Sequence, residues 1–185
     1  MAVRTIIFSE NPILRDKSRR VPRVTDEIRQ LVQDMLETMR EGQGVGLAAV
    51  QVEVPLRVIV IEIPEDLEDP NASISLALIN PELARASDEM EEGIEGCLSV
   101  PGWVGEVERH HSVTVKGLDL RGKKVRVKAE GYLARVLQHE IDHLEGLLFL
   151  DRATEVWEVE EGMEEAIEAE EAARRGAGEP RGLLE

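Results

Sequence analysis

The chain has 185 residues, 42% hydrophobic and 32% charged, which suits one domain with an aliphatic core and argues against wholesale disorder. Its net charge of −16 has the wrong sign for a nucleic-acid binder that works by broad phosphate neutralisation. A single cysteine excludes an intrachain disulfide framework, and no apolar run approaches the ~20 residues of a membrane span. The opening residues MAVRTIIFSENP lack the apolar stretch of a secretory signal, so the expected location is the cytoplasm.

Thr25 is placed to cap a helix from Asp26 to about Glu41. Its apolar positions Ile28, Leu31, Val32, Met35, Leu36 and Met39 follow the helical period, and Gly42, Gly44 and Gly46 end it. Arg57 to Ile63 is rich in β-branched residues and reads as a strand. Residues 64–75, with Pro64, Pro70 and Asn71, read as a loop. Leu76 to Ile79 reads as a short strand stopped by Asn80-Pro81. Val113 to Leu120 and Lys124 to Lys128 read as strands joined by a hairpin turn over Asp119 to Lys123. Tyr132 to Leu144 reads as a second long helix, closed by Gly146. Residues 155–171 then hold nine glutamates and no basic residue, with apolar residues at roughly helical spacing. That pattern predicts an acidic amphipathic helix over about 154–174, leaning on the domain. Hairpin-length links and no regular βαβ rhythm predict antiparallel sheets, hence an α+β class.

Three segments carry chemistry. The first is His139-Glu140-Ile141-Asp142-His143 on the second helix. Residues four apart share a helix face, so both imidazoles can reach one metal ion. Glu140 lies one step round, close enough to take a proton from water without being a ligand. A catalytic zinc or iron site needs three protein ligands and an open position. The extended protease pattern HExxHxxGxxH is matched through Gly146, but Phe149 stands where its third histidine would be. The second segment is Glu95-Gly96-Cys97-Leu98-Ser99; its thiol suits zinc or ferrous iron, or is a buried small apolar group. The third is Gly44-Val45-Gly46-Leu47-Ala48-Ala49-Val50-Gln51, which fails every phosphate-loop pattern. A terminated helix followed by an apolar strand explains its glycines but not the polar Gln51. His110 and His111 are adjacent, lack ligand spacing and are expected to be exposed. On residues alone, three readings stay open: a small HExxH peptidase, a thiol hydrolase with Cys97 as nucleophile, and an inactive metal-binding module.

Taken together, GVGLAAVQ, EGCLS and QHEIDHLEG, in that order, resemble the polypeptide deformylase family, over roughly residues 3–152. The resemblance implies a catalytic domain over 1–152 of antiparallel sheets packed around a central HExxH helix, with an acidic helix and frayed tail over 153–185. It implies removal of the formyl group from N-terminal formyl-methionine of nascent polypeptides, releasing formate. Cys97, His139 and His143 correspond to ligands of one divalent metal, natively Fe2+, with Zn2+, Ni2+ or Co2+ as substitutes. Hydroxide formed at the metal would attack. Glu140 corresponds to the general base and proton donor, and the Gln51 amide and Leu98 N–H to the oxyanion donors. Glycine walls at Gly44 and Gly46 suit a formyl hydrogen, the smallest acyl substituent. Val45, Tyr132 and Val136 are expected in the methionine slot, with the substrate backbone added along Gly44 to Leu47. Glu95, Arg109 and Asp142 are expected to hold the ligand loop against the helix. Some family members carry a basic C-terminal helix suited to ribosomal RNA. The acidic tail here departs from that, leaving transient ribosome association, and no specific nucleic-acid or membrane binding, as the expectation.

Overall fold

The computed structural model describes residues 2–63, 74–160, 163 and 167. In chain order the elements are α1 (Asp26–Glu41), β1 (Gly46–Ala48), β2 (Val58–Ile63), β3 (Ile74–Ala86), β4 (Met90–Glu95), β5 (Trp103–His110), β6 (Ser112–Leu118), β7 (Lys124–Glu130), α2 (Gly131–Leu144) and β8 (Glu155–Glu158). Strands β1-β2-β3-β6-β7 form one antiparallel sheet and β4-β5-β8 a second. Helix α2 runs between them, touching every strand of the larger sheet and β5 of the smaller. The class is α+β, as the hairpin-length links predict.

Helix α1 covers the other face of the larger sheet, against β1 and β2. Strand β2 is apolar at every position but Glu62, and its alternation shows why. Val58 and Val60 face the α1 core, and Ile59, Ile61 and Ile63 face the α2 core. A sheet covered on both sides leaves no strand face for water. The same alternation governs β1: Leu47 points into the α1 core and Ala48 into the α2 core. A third, smaller core of Val100, Val107, Leu148 and Phe149 lies under β5.

Several expectations change. Thr25 occupies the α1 N-cap position, but its side chain makes no capping hydrogen bond; Asp26 and Glu27 meet the helix dipole instead. Strand β3 starts at Ile74, inside the expected loop, and continues past Asn80-Pro81. A register shift between Ile79 and Glu82 absorbs the proline, which a bulge tolerates. Asn80 takes the left-handed conformation there (φ 53°), and its side chain bonds both the N–H and the carbonyl of Val21. The hairpin at Asp119–Lys123 forms as expected, with Gly122 at φ 78°. Strands β4 and β5 have no counterpart in the sequence reading. Residues 155–158, expected to begin the acidic helix, pair with β5 at residues 103–106. The folded body therefore runs past residue 152. Ile167 donates to the Met163 carbonyl at 3.0 Å, a helical spacing; the rest of that expected helix lies outside the described residues. No helix among the described residues is long and apolar enough to cross a membrane.

Candidate active site and metal centre

Helix α2 buries polar groups that a packed helix usually turns outward: Arg135, Gln138, Glu140, Asp142 and His143 are all at most 7% exposed. His139 and His143 lie one turn apart and meet Cys97, from the loop after β4, in one cluster. Their candidate ligand atoms all lie within 4.8 Å of one another. Cys97 Sγ is 3.4 Å from His143 Nε2. Phe149 does not replace a ligand. It is buried and stacks on His139 at 6.4 Å between centroids, an apolar wall behind the imidazole.

A carboxylate orients the first histidine. His139 Nδ1 lies 2.9 Å from Glu95 Oε2, which assigns the proton to Nδ1 and leaves the Nε2 lone pair facing the cluster. Burial lowers the basicity of His139, but Cys97 and Glu95 outweigh it and raise it well above the ordinary imidazole range. A cation binding there must displace the second proton, at Nε2, while the Nδ1–H stays on Glu95. His143 is the opposite case. Burial, then the positive charge of His139 and Arg109, hold it well below the ordinary range, and its buried Nδ1 has no hydrogen-bond partner. One soft sulfur and two imidazoles converging, with no fourth ligand group in the cluster among the described residues, fit a divalent transition metal with an open position.

Behind the ligands sits a buried charge network. Arg109 on β5 grips Glu95 with Nε and Nη2, both at 2.8 Å, and reaches Asp142 at 2.6 Å. Arg152 caps the other side of Asp142 through Nε and Nη2. Arg135 adds a bond to Glu95 at 3.0 Å. Burial would raise the Glu95 carboxyl, but Arg109 and His139 together hold it well below the ordinary carboxylate range. Stripping charges of water costs several kcal/mol each, so the network persists because nearly every lone pair is matched.

Strand β1 and the turn after it supply the other wall. Gln51 lies in the 3-10 turn Ala49–Val52 and is 1% exposed. Its Oε1 accepts from the Ala48 N–H at 2.8 Å, which turns Nε2 toward Ser99 Oγ (3.1 Å) and Cys97 Sγ (3.5 Å). The Leu98 N–H has no acceptor among the described residues. Gly46 faces Glu140 so closely that an added Cβ would lie 2.9 Å from its Cδ. At Gly44 a Cβ would lie 2.7 Å from Leu98 Cδ1. Both glycines are therefore required by close approach rather than by flexibility.

A cavity of about 350 Å³ opens beside the cluster. Gly44, Val45, Gly46, Gln51, Leu98, Tyr132, Val136 and Glu140 from the sequence reading line it. Leu47 does not: its side chain is fully buried against α1, on the other face of β1. The sequence reading omitted Gln43, Ile94, Pro101 and Arg135, which also line it. Arg135 was traceable, because it stands one helical turn before His139 and three residues after Tyr132. His110 and His111 are half-buried rather than exposed. His110 Nδ1 lies 2.7 Å from the Ser87 carbonyl and His111 Nδ1 lies 2.8 Å from Glu91.

Residues 3–158 match the polypeptide deformylase family. The peptide deformylase of Thermomicrobium roseum is 57% identical over 153 residues, covering 82% of this chain and 86% of that one. Among solved structures, the Ehrlichia chaffeensis peptide deformylase in complex with actinonin superposes with a TM-score of 0.79 at 38% identity, covering 95% and 96% of the two chains. The Met-Ala-Ser-bound class I type b peptide deformylase of Acinetobacter baumannii superposes with a TM-score of 0.77 at 38% identity, covering 82% and 98%. The chain belongs to the polypeptide deformylase family, hydrolases that remove the formyl group from N-terminal formyl-methionine.

Proposed function

We propose that Cys97, His139 and His143 hold one divalent metal ion, Fe2+ natively with Zn2+, Ni2+ or Co2+ as substitutes, and that Glu140, Gln51 and Leu98 carry out the deformylation around it. The convergence of one thiol and two imidazoles beside a buried carboxylate carries this reading. Bound there, the cation would supply Lewis acidity toward water and the formyl oxygen.

The protein's own groups divide the remaining work. Glu140, 3% exposed, takes a proton from the attacking water as its oxygen adds to the formyl carbon. The same carboxyl then gives that proton to the departing nitrogen as the C–N bond breaks, so formate and a free amino terminus leave. Charge on the formyl oxygen in the tetrahedral state is met by the Gln51 amide and the Leu98 N–H, each such donor being worth about 3 kcal/mol. Gln51 arrives preoriented because Ala48 holds its other end.

Selectivity follows from the walls. The close approach of Gly46 to Glu140 makes a tight wall there, which favours formyl, the smallest acyl group, over larger ones. Val45, Tyr132 and Val136 offer an apolar slot for the methionine side chain. The free edge of β1 is open to an added substrate strand, with Gly44 to Leu47 contributing backbone. The Met-Ala-Ser-bound relative supports a peptide with methionine first in this cavity. Glu95, Arg109 and Asp142 hold the ligand loop against α2. A substrate at the start of new chains supports a cytoplasmic enzyme in transient contact with the ribosomes from which those chains emerge.

The test is formate release from formyl-Met-Ala-Ser by protein purified without oxygen, before and after chelation, beside Glu140→Ala and metal analysis. About one metal per chain, with activity lost on chelation and in Glu140→Ala, supports the reading. Full activity after complete metal removal overturns it.

A further inference from the structure

Arg135 is 7% exposed, and the ligand set does not require it. Its Nη1 donates to Glu95 Oε1 at 3.0 Å and to the Val107 carbonyl at 2.8 Å, and its Nη2 to the Glu91 carbonyl at 2.6 Å. One guanidinium thus spans α2, β4 and β5. The carboxylate it grips is the one whose other oxygen orients His139. Its fork also lines the cavity beside Tyr132 and Val136. Arg109 already binds Glu95 through two bonds, but it approaches from β5 and is shared with Asp142. Arg135 adds a second tie, beside His139 itself, between Glu95 and the helix that carries the two histidines. A helix places residues i and i+4 on one face, so Arg135 and His139 clamp the same carboxylate from adjacent turns.

We propose that Arg135 is a positioning residue that acts through Glu95: it fixes the His139 ring for the metal and holds the wall of the methionine slot in register with it. This inference rests on the ligand reading above. Lysine cannot replace the fork, because one ammonium cannot present parallel donors to a carboxylate and to carbonyls on two strands.

The experiment uses the full chain as wild type, Arg135→Met, Arg135→Lys, Glu95→Gln and Arg135→Met/Glu95→Gln. Three readouts are taken: affinity for Co2+ by chelator competition, the visible spectrum of the Co2+ form, and kcat and KM for formyl-Met-Ala-Ser. The expected result is a 10–100-fold loss of Co2+ affinity in Arg135→Met, the range typical of groups that orient metal ligands. A shifted Co2+ spectrum and a lower kcat should accompany it. Arg135→Lys should recover part of the loss. The double variant should lose little more than Glu95→Gln alone, since both act on one ring. If Arg135→Met does not fold, Arg135→Lys carries the same three readouts. Co2+ affinity and spectrum unchanged in folded Arg135 variants would overturn the proposal, as would strict additivity with Glu95→Gln. A wild type that binds no Co2+ at all would instead sink the ligand reading.

Discussion

The two helices pack on opposite faces of one sheet and differ in what they bury. Helix α1 presents Ile28, Leu31, Val32, Met35 and Met39 to β1 and β2, with Asp34 and Thr38 as its only buried polar side chains. Both of these tie down the chain start: Asp34 bonds the Ala2 N–H and Arg4, and Thr38 bonds the Arg4 N–H. Helix α2 buries Leu133, Ala134, Val136, Leu137 and Leu144, but also five polar or charged groups, of which Arg135, Gln138 and Asp142 are matched from β4 and β5. The first face makes stability from apolar area alone. The second spends stability on desolvated charge and gains a site where a proton and a cation can be placed. The smaller sheet exists on that account. Its strands deliver Glu95 and Arg109, and the loop between β4 and β5 delivers Cys97.

Substitutions on the two faces should therefore fail in different ways. Glu140→Ala should lower kcat by ~10²–10⁴-fold with the fold retained, read by formate release and thermal unfolding. Glu95→Gln should cost about 3–5 kcal/mol in urea unfolding, because it leaves Arg109 and Arg135 under-compensated in a buried site. Its pH signature has a definite sign. Glu95 sits below its ordinary value of 4.5 when folded, so the stability it contributes is present above that value and is lost as pH falls toward the folded one. Wild-type urea midpoints should fall from about pH 4.5 downward, and Glu95→Gln should flatten that limb. Met35→Ala, on the α1 side, should cost about 2–5 kcal/mol while leaving kcat and metal content unchanged in the folded fraction. A large fall in kcat there would break the division between the faces. The smallest effect belongs to Arg152→Ala. Its side chain is 45% exposed, so stability should change by less than ~1 kcal/mol and activity little, because Arg109 still holds Asp142.

How readable each part was follows the same line. Helix α1 emerges from periodicity with the bounds expected, since an apolar stripe on a polar helix needs no partner to be recognised. Helix α2 differs from its expected start by one residue. Strands β4 and β5 escaped because MEEGIE and WVGEVERH bury Glu95 and Arg109, where a half-buried strand would alternate apolar and polar. The EVWE segment read as helical because apolar residues recur from it into the acidic tail at roughly helical spacing. Pairing with β5 overrode that pattern. Leu47 entered the expected site through its backbone, in the segment for an added strand, and the two-residue period of β1 sends its side chain to the opposite face.

By itself the sequence determined the α+β class, both long helices, the hairpin between β6 and β7, and the three candidate ligand residues that meet in one cluster. These rest on local spacing: four residues bring two histidines to one face, and side-chain type decides what can bind a cation. Only the tertiary structure decided which carboxylate orients His139, why Gly46 must be glycine, and that Arg135 joins the ligand network. Those facts depend on contacts between segments far apart in the chain, where close packing and the matching of buried charge, rather than local spacing, select the partner.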